Sequence, residues 1–281
     1  MSRESRAELA RETVAILEAG GYQFDDGTLV DLAGRIRECV FETVLYEPEA
    51  LESLLQEAGS LGRGTEQTAV TLHNETTLQG ARALAEEGHG KIAALNFASA
   101  KNPGGGFLNG SQAQEESLAR ASALYASLRT QPDYYEYHRS NNDPLYSHRA
   151  IFSPGCPVFR DDEGTPLRDP LQLVDFITCP APNAGAVRQN RPEAIDLIPE
   201  IFRRRAAYVL ALALHKRCDA LVLGAWGCGV FKNDPALVAE AFRDLLQGEV
   251  FSQKFKAIRF SVLDPSGNIL ETFRQSLTGS V

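Results

Sequence analysis

The apolar positions near the start of the chain recur at helical spacing. From Ser5 to Gly20, Leu9, Thr13, Val14 and Leu17 fall on one side, Ser5 and Glu8 offer a capping box, and Gly20-Gly21 supplies a stop. A second helix is predicted from about Pro48 to Ala58, with Pro48 in a first helical position, Leu51, Leu54 and Leu55 as its stripe and Gly59 as its end. Residues 1–65 therefore read as a mainly helical extension, and residues 66–281 as the principal domain.

Beyond Gly64 the texture changes. Ala69–His73 alternates as a short strand, Glu75–Glu87 has helical spacing, and Ile92–Ala98 is a continuous apolar run, which together predict a β-α-β unit. Helices are expected at about 112–129, 199–217 and 234–247, and strands at about 172–178, 220–224 and 257–263. Alternating elements with nearly continuous apolar strands describe a sheet covered on both faces, a three-layer α/β/α domain. Between about Pro132 and Pro170 the chain is rich in Pro, Gly, Asn, Asp and Tyr. A hairpin is expected there through Val158–Leu167, within a loop-rich insertion that is either part of a binding site or surface decoration.

Composition narrows the options. With 281 residues, 43% of them hydrophobic, the chain has ample material for a core. A net charge of −9 implies no broad basic face, so nucleic-acid binding is not expected and any phosphate-bearing ligand must be gripped locally. Cys39, Cys156, Cys179, Cys218 and Cys228 show no C-x-x-C pairing, which points to reduced thiols and a cytoplasmic protein. No apolar stretch approaches a membrane span, and the charged start MSRESRAELARE lacks a signal peptide's apolar region.

Two glycine runs carry the candidate chemistry. In the first, the strand ending near Ala98 leads through Gly104, Gly105 and Gly106 into a helix whose first turn holds Gln114, Glu115 and Glu116. Triglycine lets backbone approach a ligand at the carboxyl edge of a sheet. Alone, the same residues read as a flexible turn, a Ser111–Gln114 capping box and two carboxylates complementing the helix dipole. The second run, Gly224 through Gly227, Cys228, Gly229, Val230 and Phe231 to Pro235, repeats the strand, glycine loop and helix order. It has neither the G-K-[ST] of a P-loop nor the spacing of G-x-G-x-x-G, so ATP and NAD are not the expected ligands. Two such junctions on one sheet suit a ligand with a diphosphate and a sugar.

These residues resemble the bacterial-type poly(ADP-ribose) glycohydrolases, macrodomains whose motif is GGG, a short spacer and QEE; here Gly104–Gly106 and Gln114–Glu116 are seven residues apart. The resemblance spans roughly residue 65 to the C-terminus, and the extension matches in general character. It implies a three-layer α/β/α macrodomain with a mixed central sheet and an N-terminal helical extension. It further implies hydrolysis of ribose–ribose bonds in poly(ADP-ribose) from the free end, with Glu116 as catalytic acid/base. Glu115 would orient the ribose, Gln114 and Gly104–Gly106 would help hold it, and Gly227–Phe231 would cradle the diphosphate. Asn96 stands where some relatives carry an aspartate toward the ribose. Expected partners are poly(ADP-ribose), ADP-ribose and ADP-ribosylated proteins, with the protein acting as a monomer.

Glycosidases usually divide acid and base work between two separated carboxylates. Neighbouring helical side chains point about 100° apart, so one glutamate reaches the bond while the other contacts ribose hydroxyls, and a single residue serves first as acid and then as base. A helix N-terminus favours the ionised form, whereas burial, the adjacent carboxylate and a bound diphosphate favour the proton that an acid needs. Other candidates are weaker. His73, His89, His138, His148 and Arg149 lack paired metal-ligand spacing, so no metal or cofactor is expected. Cys228 has no histidine near it in sequence, and Tyr134, Tyr135, Tyr137 and Tyr146 are candidates to stack on adenine. The competing functions are a non-catalytic ADP-ribose reader, which needs the glycine loops but no aimed carboxylate, and a hydrolase of mono-ADP-ribose or O-acetyl-ADP-ribose.

Overall fold

The computed structural model describes residues 1–62, 64, 67–169 and 172–278. The first helix, α1 (Arg3–Ala19), is capped by Ser2, whose Oγ accepts the Ser5 N–H at 3.1 Å, three residues ahead of the predicted cap; Gly20, at φ 75°, closes it. A hairpin of β1 (Gly21–Gln23) and β2 (Leu29–Asp31), helix α2 (Ala33–Glu42) and strand β3 (Val44–Tyr46) follow, none of which the hydrophobic pattern announced. Helix α3 (Pro48–Ser60) runs through Gly59 rather than stopping at it. Strand β3 pairs antiparallel with a later strand, so the N-terminal segment contributes to the main sheet. The boundary expected at 65/66 lies outside the described residues.

Next come β4 (Ala69–His73), α4 (Thr77–Glu86) and β5 (Ile92–Phe97); the helix start is fixed by a capping box between Thr76 and Gln79. Two helices, α5 (Gln114–Ala121) and α6 (Leu124–Leu128), replace the single one expected over 112–129. Ser122 breaks the run: it is extended, bridges to Val158, and donates its hydroxyl to the Leu118 carbonyl at 2.7 Å. The insertion contains more structure than its composition suggested, with helix α7 (Pro132–Ser140) and strand β6 (Ala150–Pro157). Pro154 and Gly155 masked that strand because they sit where its register shifts, between Ser153 and Cys156. The Val158–Leu167 hairpin forms, with an Arg160–Pro166 bridge and the Leu167 N–H on the Phe159 carbonyl. The chain continues through β7 (Leu173–Cys179), α8 (Ala184–Asn190), α9 (Ile198–His215), β8 (Ala220–Leu223), α10 (Pro235–Gln247), β9 (Ala257–Ser261) and α11 (Asn268–Thr278).

Among the described residues one sheet takes seven strands in the order β3-β6-β7-β5-β8-β9-β4. The pairs from β7 to β4 are parallel and those made by β6 are antiparallel, so the sheet is mixed as expected. The expected β-α-β neighbours are not neighbours: β4 lies at the edge beside β9, with β8 and β9 between it and β5. Each face of the sheet carries its own core. On one side Phe202, Trp226, Phe242 and Phe260 pack with α3, α9, α10 and α11; on the other Leu84, Leu118, Leu124 and Phe176 pack with α2, α4, α5 and α6. Each buried large apolar side chain stabilises the fold by about 1.5–3 kcal/mol, so two such layers fix the strand edges that carry the loops. Among the described residues no helix is long and apolar enough to cross a membrane.

Candidate active site

Strands β5, β8 and β9 are adjacent and parallel, so the loops leaving their carboxyl ends meet at one edge of the sheet, where open α/β sheets place ligands. A cleft of about 670 Å³ lies there, lined among others by Ser99, Glu115 and Glu116 after β5, Gly227–Phe231 after β8, and Val262, Leu263 and Ile269 after β9. Its size is that of a single nucleotide-sized ligand site.

Helix α5 presents the two glutamates to different surroundings. Glu115 is buried, and its carboxylate accepts the Ser99 N–H at 2.6 Å and the Asn96 amide at 3.2 Å. Burial pushes its carboxyl up to about 8, assisted by the neighbouring Glu116 charge, while the hydrogen bonds from Ser99, Asn96 and Gly104 act in the opposite direction. Glu116 is half-buried on the cleft wall. Its Oε1 accepts the Gly106 N–H at 2.9 Å, and no other described residue bonds its carboxylate. The group whose proton is retained by burial is thus Glu115, the residue expected to orient the ribose.

The triglycine loop backs this pair rather than lining the cleft. A side chain at Gly105 would reach the carboxylates, with its Cβ 2.9 Å from Glu116 Cδ and 3.3 Å from Glu115 Oε2, and the backbone there has φ 60°. Gly104 packs against Phe107 and Ala119, and Gly106 against Ser111, so the loop's tight course frees the Gly106 N–H for Glu116. Two residues expected to touch the sugar have structural duties, and Gln114 also lines the cleft. Asn96 is fully buried and bridges Glu115 to Thr178. Gln114 accepts the Phe97 N–H at 2.8 Å and donates to the Leu95 carbonyl at 2.8 Å and to Thr77 Oγ1 at 3.0 Å. These bonds clamp the start of α5 to the end of β5, and the Ser111–Gln114 capping box does not form.

The second glycine loop is shaped for an anion. Among the described residues nothing accepts from the N–H groups of Gly227, Gly229, Val230 and Phe231, which stand on the cleft wall. Gly227 has φ 75°, and a Cβ there would come within 2.7 Å of the Ala181 Cβ. Asn233 closes the loop by donating to the Pro182 carbonyl at 2.9 Å, while Asp234 caps α10 through the Ala236 N–H. Trp226 is core, with its indole N–H on the Cys179 carbonyl, but Phe231 is half-buried and lines the cleft. Burial pushes the Cys228 thiol up to about 12, which keeps it protonated and unreactive.

Sequence reasoning missed Ser99, Thr76, Thr77 and Glu75, which also line the cleft. The Thr76 and Gln79 capping pair was the available signal for the α4 start, since it places Thr77 at the sheet edge. Of the tyrosines, Tyr134 and Tyr135 are buried, Tyr137 lies 3.5 Å beneath the Arg149 guanidinium, and Tyr146 packs against Phe231 with ring centroids 5.9 Å apart. Tyr134 and Tyr135 are therefore excluded as adenine platforms. Among the described residues no group of three or more His, Cys, Asp or Glu is placed to hold a metal ion.

A family model described as microbial-type PARG, catalytic domain, matches residues 10–161. The poly(ADP-ribose) glycohydrolase of Thermomonospora curvata is 46% identical over 97% of this chain and 99% of that one, with a TM-score of 0.91. Its complex with the inhibitor ADP-HPD is also 46% identical over 97% and 99%, with a TM-score of 0.89. The poly(ADP-ribose) glycohydrolase of Deinococcus radiodurans in complex with ADP-ribose is 45% identical over 89% of this chain and 98% of that one, with a TM-score of 0.82. No curated protein matches the chain.

Proposed function

The chain belongs to the microbial-type poly(ADP-ribose) glycohydrolases, with 46% identity over 97% of its length, and from that premise we propose how its residues hydrolyse the polymer. The terminal ADP-ribose unit occupies the cleft. Its diphosphate lies on the free N–H groups of Gly227, Gly229, Val230 and Phe231, and its terminal ribose lies against Glu115 and Glu116. Glu116 gives a proton to the departing 2′-oxygen as the ribose–ribose bond breaks, then takes one from the water that attacks the oxocarbenium-like carbon. Glu115, protonated near neutral pH and held by Ser99 and Asn96, orients the ribose and halves the negative charge beside it.

The observation that carries this reading is the contrast on α5: one glutamate buried and fully bonded, its neighbour on the cleft wall with a single backbone partner. A cleft the size of one unit supports release from the free end. The free, buried state of all five cysteines supports a reducing, cytoplasmic setting, where ADP-ribosylated proteins would carry the polymer. A time course on poly(ADP-ribose) of defined length tests the direction of cleavage. ADP-ribose should be the first product, with chains shortening one unit at a time; early oligomers without ADP-ribose would contradict release from the end.

A further inference from the structure

Arg205 stands against the pattern of its helix. It lies in the middle of α9 among the core residues Phe202, Ala206 and Val209 and is 1% exposed, whereas Arg203 and Arg204 reach Asp244 and Glu52 at the surface. Among the described residues no carboxylate pairs with it; its guanidinium bonds the main chain instead. One terminal nitrogen donates to the Pro180 carbonyl at 2.9 Å, the other to the carbonyls of Leu145 and Tyr146, the latter at 2.9 Å, and Nε donates to His148 Nδ1 at 3.4 Å. A buried charge without a counter-ion is destabilising, and these carbonyls offset it only while the fork of donors reaches all of them.

The segments that Arg205 joins lead to the cleft. Pro180 directly follows β7 at the carboxyl edge of the sheet, and Ala181 lines the cleft. Leu145 and Tyr146 belong to the stretch between α7 and β6. Tyr146 has φ 58°, a left-handed backbone that tyrosine rarely adopts, and its carbonyl is one of those Arg205 holds. From that turn the ring packs against both His138 and Phe231, with centroids 5.8 and 5.9 Å away. Phe231 is part of the cleft wall, in the loop that offers its N–H groups to the diphosphate. Resting on the activity proposed above, we propose that Arg205 is a positioning residue for this wall: it holds the Tyr146 turn, and Tyr146 holds Phe231 where ADP-ribose binds. None of the residues that accept from Arg205 lines the cleft, and Glu115 and Glu116 are bonded independently of it. Its effect therefore falls on affinity rather than on proton transfer. Lysine cannot replace it, since one ammonium does not span Pro180 and the Leu145 and Tyr146 carbonyls as a planar fork does.

The test reads affinity and turnover separately. Arg205→Lys and Tyr146→Leu should each raise the Kd for ADP-ribose, measured by calorimetry, and the KM for poly(ADP-ribose) by about 5- to 20-fold, the size of coupling expected between side chains in contact. The kcat of each should stay within about twofold of wild type, the signature of lost binding without lost chemistry. In a Phe231→Ala background either substitution should weaken ADP-ribose binding by less than about twofold more, as action through Phe231 requires. A general loosening of the fold would instead add to the Phe231→Ala loss and lower kcat as well. Arg205→Gln, which keeps an amide donor without the charge, takes the place of Arg205→Lys where that variant unfolds, and should show the same split. Additive losses with Phe231→Ala, an equal fall in kcat, or wild-type affinity would overturn the proposal. Unfolding of both Arg205 variants would overturn it too, by assigning the residue to the fold as a whole. Failure of the activity reading appears separately, as a wild-type protein that binds ADP-ribose but leaves poly(ADP-ribose) intact.

Discussion

Glu115 and Glu116 are consecutive on one helix, yet their side chains meet different surroundings. The 100° turn between neighbouring helical positions sends Glu115 under the Ser99 loop and Glu116 to the cleft wall. Burial is the leading cause of the raised Glu115 carboxyl, and this has a measurable cost. Its folded value, about 8, lies above the ordinary 4.5, so the native state favours the protonated form. The contribution to stability is therefore complete below about pH 4.5 and is lost as the pH rises toward 8, by at most about 1.4 kcal/mol per pH unit. Unfolding free energies measured between pH 5 and 8.5 should fall more steeply for wild type than for Glu115→Gln. Parallel curves would mean that Glu115 is ionised in the fold without penalty.

The element that positions this chemistry is α5 rather than the triglycine loop alone. Its start is pinned by Gln114, whose amide takes the Phe97 N–H and reaches the Leu95 carbonyl at the end of β5. Its far side rests on α1: Thr13 Oγ1 donates to the Arg120 carbonyl at 2.6 Å, and Ala10 packs with Phe107 and Ala119. Arg6 donates to the Gly110 carbonyl at 2.8 Å, joining the same helix to the turn that follows the glycines. Gln114→Ala would leave part-buried backbone groups of β5 without partners and should cost on the order of 1–3 kcal/mol. Denaturant titration checks this, and an unchanged midpoint at an unchanged slope would show that water or a shift of α5 replaces those bonds. The hydrophobic pattern revealed that a helix begins here. It did not reveal that Gln114 serves the helix itself, because a QEE run reads alike whether the glutamine faces a sugar or the strand behind it.

At the scale of the molecule, the parallel half of the sheet was legible because β5, β7, β8 and β9 are covered on both faces and read as apolar runs. The antiparallel half was not: β3 is three residues long, and β6 carries Pro154 and Gly155 where its register shifts. Strand order was equally hidden, since no local pattern tells β4 to pass β5 and β8 and pair with β9. The candidate site was legible as far as its glycine loops and glutamates, which lie close in sequence to strand ends. Ser99 and Thr77 were not, because they reach the cleft only through the fold. The account rests on one division of labour across this edge: Gly227–Phe231 hold the ligand and Glu116 moves the proton. Turnover of poly(ADP-ribose) and binding of ADP-ribose, measured side by side on wild type, Glu116→Gln and Glu115→Gln, test it most directly. Glu116→Gln should lose roughly 10²–10⁴ in kcat while ADP-ribose affinity largely survives, and Glu115→Gln should keep the higher residual rate. A Glu116→Gln protein that turns over like wild type would contradict the account.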